Sequence, residues 1–219
     1  MKESHIQKFN TVYQSSDCYY GQELRPEFTD YFANQNLAGM QALDLGCGEG
    51  RYTLYLAEKR CHVTAIDRTP AGIFKLRSTA QKLQLPVAAS VLDIADFTFN
   101  KNQFDIIVAA TVLDHLADGL RQRTIDSIQS ALKPGGILYV NVFTVSDPGY
   151  IVKQQAASEV SVSGVSDTAF CMEYYYKPDE LKLHFQDLTH LYYYEGIEED
   201  LSHGQPHHHG WACLLAQKP

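Results

Sequence analysis

The sequence predicts an α/β fold: a doubly wound, mostly parallel sheet with helices on both faces. Three observations carry that prediction. Short, near-continuous apolar runs at 62–66, 104–110 and 137–143 alternate with stretches of helical periodicity. A glycine-rich turn from Gly46 to Gly50 joins an earlier run to a helix. Acidic residues, Asp44, Asp67 and Asp93, stand at the ends of runs, the edge along which open α/β sheets bind ligands.

Composition sets the outer limits. The chain has 219 residues, 45% hydrophobic content and a net charge of −8 from 26 acids and 18 bases. That size buries one sizeable core, so a single domain over 1–219 is expected. The acidic balance argues against a nucleic-acid surface and fits a small-molecule partner. No apolar run approaches membrane-spanning length, and MKESHIQKFN lacks the apolar centre of a signal peptide. The five cysteines form no C-x-x-C pair and read as free thiols in a reducing cytoplasm.

The chain is organised around Ala42–Arg51, ALDLGCGEGR. Leu43 and Leu45 end a buried strand, Gly46, Gly48 and Gly50 alternate through a tight turn, and RYTLYLAEKR continues as a helix. Glycines let the backbone take positive φ and let a ligand approach closely. The helix N-terminus offers unpaired N–H groups. The spacing is D-x-G-x-G-x-G rather than the dinucleotide G-x-G-x-x-G. An acid ahead of the glycines suits a ligand with a positive amino group better than a pyrophosphate. This stretch resembles the first motif of the class I S-adenosylmethionine (SAM) methyltransferases. The resemblance implies SAM as cofactor, S-adenosylhomocysteine as product, and Asp44, Gly46, Cys47, Gly48, Gly50 and Arg51 as cofactor-binding residues.

The elements follow in order. Glu3–Gln14 reads as a helix with Ile6, Phe9, Val12 and Tyr13 on one face, and a second helix starts at Pro26 with Phe28, Phe32 and Leu37 as packing residues. By resemblance, residues 1–40 form an arm over the cofactor, with Tyr20, Gly21 and Arg25 approaching the methionine carboxylate or the substrate. His62–Ile66 is the second strand. Asp67 at its end is the expected ribose partner, since a carboxylate accepts from two vicinal hydroxyls. Arg68 flanks the adenine, and Thr69 and Pro70 open a helix with Ile73, Leu76, Ala80 and Leu83 toward the sheet. Val87–Leu92 is the third strand, followed by Asp93 and Ile94, which in the family meet the adenine.

Phe104–Ala110 is a central strand, and Thr111–Leu116, TVLDHL, crosses the top of the site. By resemblance Ala110 and Thr111 contact the cofactor, while Asp114 and His115 are the polar groups placed near the transferring methyl. Gly119–Leu132 is a helix, Lys133–Gly136 a turn, and Ile137–Phe143 the fifth strand; LKPGGILYV resembles the family's third motif. The core therefore spans 41–143, and 144–219 forms the substrate side. The resemblance implies a Rossmann-like seven-stranded sheet whose last strand is antiparallel.

Asp147-Pro-Gly-Tyr resembles the D-P-P-Y tetrapeptide of amino-methylating DNA enzymes. It follows the fifth strand rather than the fourth and lacks the second proline, so it reads as a loop turn. Residues 151–169 resemble a mobile insert. PDELKLHF is a short helix, and Leu188–Gly196 and Trp211–Ala216 are the last strands. The tail resembles the small bacterial tellurite-resistance-type methyltransferases and the wider thiopurine-methyltransferase-like group. It departs from them in the loop Glu198–His209. His203, His207, His208 and His209 there suggest a metal site. Methyl transfer from a sulfonium needs no metal, however, and no Cys or acid completes a clear ligand spacing. The expectation is an exposed polar turn or a substrate-orienting group, with no metal.

The expected reaction is methyl transfer to a small-molecule acceptor, a chalcogen oxyanion such as tellurite or a thiol. A hydroxyl acceptor would need a base, for which His115 and His203 are the candidates. A non-catalytic SAM-binding regulator and a nucleotide-dependent oxidoreductase are the alternatives. A monomer or homodimer with no nucleic-acid or membrane partner is expected.

Overall fold

The apolar runs become seven strands: β1 Gln41–Leu45, β2 His62–Asp67, β3 Val87–Val91, β4 Phe104–Ala110, β5 Leu132–Phe143, β6 Thr189–Asp200 and β7 His207–Gln217. The helices are α1 Glu3–Ser15, α2 Pro26–Phe32, α3 Arg51–Glu58, α4 Pro70–Lys82, α5 Asp118–Ala131, α6 Pro148–Ala156 and α7 Glu180–His184. This is a computed structural model, and it describes residues 3–15, 18–156, 172–201 and 206–219.

The strands form one sheet in the order β3-β2-β1-β4-β5-β7-β6. Strands β1 to β5 pair in parallel, while β7 is antiparallel to both β5 and β6. This is the predicted Rossmann-like architecture. The strand order reverses between β1 and β4, which opens a crevice at their C-terminal ends.

Strand β4 shows why the sheet is covered twice. Ile107 and Ala109 enter a core with Leu43, Leu45, Ile125, Ile128 and Leu138. Ile106 and Val108 point the other way, into a core with Phe28, Phe32, Tyr52, Leu56 and Tyr139. Successive side chains on a strand face opposite sides, so a run apolar at every position needs two apolar layers. Phe28 and Phe32 are fully buried, and burying each such ring contributes about 1.5–3 kcal/mol.

Several boundaries and faces differ from the sequence reading. Leu83 was expected to face the sheet; it lies just beyond α4 and is 51% exposed. The turn Lys133–Gly136 sits within β5 as an irregularity. Leu132 already pairs with Phe104, Ile137 pairs with Ile106, and Gly135 takes φ +76° between them. Both ends of the loop expected over Glu198–His209 are strand, because β6 runs on to Asp200 and β7 begins at His207. Insert residues 157–169, together with Phe170 and Cys171, lie outside the described residues.

Candidate functional site

The crevice between β1 and β4 opens into a cavity of about 1380 Å³. Its floor is the glycine turn. Gly46, Gly48 and Gly50 take φ of +65°, +53° and +90°, values that favour glycine. A Cβ at Gly46 would lie 2.5 Å from Val112 Cγ2, and one at Gly50 would overlap Leu76 Cδ1. The turn is pinned by Cys47 N–H to the Ile66 carbonyl (3.0 Å) and by Gly50 N–H to the Cys47 carbonyl (2.8 Å). Gly50, the N-cap of α3, has no side chain to cap the first turn, and the buried Asp44 carboxylate accepts from the Thr53 N–H of that turn instead.

Three carboxylates rim this cradle, each with a different job. Asp44 is buried, and its Oδ2 accepts from Thr53 Oγ1 at 2.6 Å. Burial raises its pKa to about 7 against the opposing Thr53 hydrogen bond. Asp67 Oδ2 accepts from Gly48 N–H at 2.9 Å, while its Oδ1 accepts from Thr69 N–H and Oγ1 at 2.7 and 2.6 Å. Asp93 pairs with Arg68 Nε at 3.1 Å and accepts from Ala95 N–H at 2.9 Å. Ile94, Ala110 and Thr111 also line the cavity. Thr111 holds φ +48°, an uncommon conformation for a residue with a Cβ, and its N–H donates to the Asn141 carbonyl at 2.9 Å.

The arm closes one side. Phe9, Val12 and Tyr13 of α1 form a small apolar cluster joined by Tyr19 and Tyr20. Tyr13 Oη stands 2.8 Å from where a Gly48 Cβ would be, so the arm reaches the cradle itself. Arg51 was expected at the cofactor; its Nη1 donates to the carbonyls of Tyr20 and Glu23, both at 3.3 Å. It thereby fastens the arm while still lining the cavity. Tyr19 N–H donates to Glu49, which also pairs with Lys75 at 2.7 Å. Arg25 bonds Glu27 and Glu198, both at 2.8 Å, and lies 5.7 Å from the Trp211 ring centroid.

The far end is lined by Phe143, Met172, Tyr175 and Trp211, with Phe143 and Trp211 stacked at 4.3 Å. His115 is in the cavity wall, buried, edge-on to Phe9 at 5.3 Å. Its neighbour Asp114 was expected beside the methyl group, and here the structure corrects the sequence. Asp114 is fully buried; its Oδ2 accepts from Phe143 N–H at 3.1 Å, and its carbonyl accepts from Glu173 and Tyr174 N–H. It ties β5 to the segment before α7 rather than facing the cavity.

The tetrapeptide at Asp147 is not a loop turn: Pro148, Gly149 and Tyr150 open α6, and the turn lies just ahead of it, closed by Asp147 N–H donating to the Thr144 carbonyl at 2.9 Å. The Asp147 side chain has a role that local sequence did not signal. Asp147 Oδ2 is 2.8 Å from His209 Nδ1 and accepts from Gly210 N–H at 3.0 Å. His209 is buried, not part of an exposed turn, and its Nε2 is 3.0 Å from His207 Nε2. An acid does join these histidines: Asp200 Oδ2 is 3.8 Å from His209 Nε2. His203 lies outside the described residues. Asn141 was also missed. It lines the cavity, and its buried Oδ1 has no hydrogen-bond partner among the described residues.

Residues 36–190 match a family described as a methyltransferase domain. Among curated relatives, haemagglutinin 1 of Eikenella corrodens is 29% identical over 194 residues, 85% of this chain and 57% of that protein. The chain thus spans little more than half of that relative. The ubiquinone biosynthesis O-methyltransferase of Coxiella burnetii is 28% identical over 182 residues, 78% of this chain and 75% of that protein. Among solved structures, TehB of Haemophilus influenzae is 22% identical with a TM-score of 0.71, covering 97% of this chain and 67% of that one. The N-methyltransferase NodS of Bradyrhizobium japonicum, solved with S-adenosylhomocysteine, has a TM-score of 0.65 at 20% identity, covering 99% of this chain and all of that one.

Proposed function

We propose, from the premise that the chain belongs to the methyltransferase-domain family and is a class I SAM-dependent methyltransferase, that its acceptor is a small molecule with an apolar or aromatic body and a hydroxyl or thiol nucleophile. The family match displaces the oxidoreductase alternative.

The residues present fit the cofactor. The glycine cradle leaves no room for a Cβ at Gly46 or Gly50, and buried Asn141 Oδ1 needs a donor. In this reading Asp44 faces the amino group, Asp67 the ribose and Asp93 with Ile94 the adenine, while Tyr20, Arg25 and the turn residues complete the shell. Bound SAM supplies an electrophilic methyl on a sulfonium.

One observation carries the acceptor reading: the cavity continues past the cradle into a chamber walled by stacked Phe143 and Trp211 with Met172 and Tyr175. Asp147, Glu198, Glu199 and Asp200 also line the cavity, and Arg25 beside them is already paired with Glu27 and Glu198. An acidic rim with apolar walls favours a neutral acceptor over an oxyanion. The likeness to a ubiquinone biosynthesis O-methyltransferase supports a hydroxyl acceptor. The walls align the nucleophile with the methyl; alignment of this kind contributes up to about 7–11 kcal/mol in favourable systems. His115 in the wall takes the acceptor's proton when the nucleophile is a hydroxyl. A thiolate needs no such base.

The tellurite-type resemblance of the C-terminal strands keeps a chalcogen oxyanion as the second reading. Release of S-adenosylhomocysteine from a panel of catechols, phenols, small thiols, tellurite and selenite separates them. Turnover of the aromatic or thiol acceptors is expected; turnover of tellurite alone would overturn the neutral-acceptor reading. Calorimetric titration with S-adenosylhomocysteine and NADH on the same protein tests the cofactor, with binding of the first alone expected.

A further inference from the structure

The β6–β7 hairpin places Asp200 directly across from His207 and Glu198 directly across from His209. Residues two apart on a strand share a face, so all four side chains project to one side. Glu198 bonds Arg25 there. The other three have ligand atoms all within 4.8 Å of one another. We propose that Asp200, His207 and His209 form a binding site for a divalent first-row transition metal of the zinc class, at the acceptor end of the cofactor cavity.

The geometry of the two imidazoles supports this. Their Nε2 atoms are 3.0 Å apart. Two nitrogens bound to one metal at 2.0–2.1 Å are about 2.9 Å apart in an octahedral site and about 3.3 Å apart in a tetrahedral one. Asp200 Oδ2, at 3.8 Å from His209 Nε2, needs to close by about 0.5 Å to reach the tetrahedral spacing. Two neutral imidazoles and one carboxylate suit zinc, iron or cobalt better than calcium or magnesium.

Asp147 makes the arrangement more than a chance cluster. Its carboxylate lies 2.8 Å from His209 Nδ1. That bond holds the proton on Nδ1 and leaves the Nε2 lone pair aimed at His207 and Asp200. A carboxylate behind a ligating histidine is the usual outer support of a metal site. Asp147 is itself held by Gly149 N–H at 2.7 Å and Gly210 N–H at 3.0 Å, so the support is anchored to backbone. With these three ligands among the described residues, a fourth position on a tetrahedral metal falls beside the cavity, which both Asp200 and His209 line. An acceptor oxygen or sulfur fits that position. This last assignment rests on the small-molecule acceptor reading; the metal site does not.

The test uses the whole chain, stripped of metal by chelator and dialysis. Zn²⁺ is titrated by calorimetry and Co²⁺ by visible absorption, with S-adenosylhomocysteine affinity measured on the same samples. One equivalent of each metal is expected to bind. His207→Ala and Asp200→Ala each weaken binding at least about 100-fold, and Asp147→Asn weakens it about 10–100-fold, while cofactor affinity and circular dichroism are retained. His208 is exposed and sits between the two ligands on the opposite face, so His208→Ala should leave metal affinity unchanged. Absence of saturable binding in the unmodified protein would overturn the site. So would an equal loss in His208→Ala, which would mean loose chelation by a histidine-rich segment. Loss of cofactor binding with metal binding intact would count against the cavity's cofactor assignment instead.

Discussion

The carboxylate of Asp67, at the end of β2, accepts the amide N–H of Gly48 in the turn after β1 at 2.9 Å. The residue expected to hold the ribose therefore also fixes the glycine turn that floors the cavity. Asp67→Ala should cost stability as well as affinity: about 1–3 kcal/mol for the unpaired N–H, and at least about tenfold in S-adenosylhomocysteine affinity. Thermal denaturation and calorimetry measure the two. A loss of affinity with an unchanged melting temperature would show that the Gly48 bond contributes nothing.

Asp44 gives the protein a pH dependence of known sign. Its pKa is raised by burial from the ordinary 3.8 to about 7. Between about pH 4 and 7 the folded chain holds a proton that the unfolded chain has released. Stability should therefore fall as pH rises through that window and level off above it. A cationic ammonium beside Asp44 favours the ionised form, so SAM affinity should rise with pH up to about 7. Asp44→Asn should flatten both profiles. A pH-independent affinity in the unmodified protein would remove Asp44 from the amino group.

The glycines separate binding from folding. Gly46→Val drives side-chain atoms into Val112 at the cavity wall and should abolish measurable SAM binding. Gly50→Ala meets buried Leu76 at φ +90° and should destabilise the fold by about 1–3 kcal/mol. Unchanged affinity in the first variant, read by calorimetry, would sink the assignment of the cradle.

Tyr13 controls the arm. It packs with Phe9 and Val12, and its hydroxyl approaches Gly48. Tyr13→Ala should loosen that cover and raise the dissociation rate of S-adenosylhomocysteine several-fold with little change in the melting temperature of the core. Stopped-flow displacement reads the rate. An unaltered rate would make the arm a bystander.

His115 is decided by kinetics. As a base for a hydroxyl acceptor it contributes about 10²–10⁴-fold to kcat. His115→Gln should lower kcat by that order and leave cofactor affinity intact. A loss under about tenfold would assign it to packing against Phe9 at 5.3 Å.

The cradle was legible in the sequence because its determinants are local. A strand, three glycines and a helix start lie within ten residues, and the acids at the ends of β2 and β3 follow strand by strand. The same logic placed Phe104–Ala110 to the residue. What was not legible depends on contacts across the sheet. Asp147 and His209 are 62 positions apart, and no local pattern joins them. Asp200 meets His207 only because β6 and β7 pair in that register, which hides the acid in a segment that reads as a loop. Asp114 and His115 looked alike in sequence, yet the backbone turns one into the fold and the other to the cavity. Leu83 failed for a simpler reason: the helix ends at Lys82, so its periodicity no longer applies.

Strand β7 follows β6 along the chain yet lies between β6 and β5. During synthesis on the ribosome, β6 emerges first and has no edge to join. It waits, with Leu191, Tyr192 and Ile197 exposed even in the finished sheet, until β7 arrives to bridge it to β5. Residues 41–143 can pair β1 to β5 before that, so the cradle precedes the hairpin in the order of birth. A ribosome that stalls before Trp211 leaves a chain with β1 to β5 able to pair and the long apolar edge of β5 open, the species a chaperone or protease would meet first.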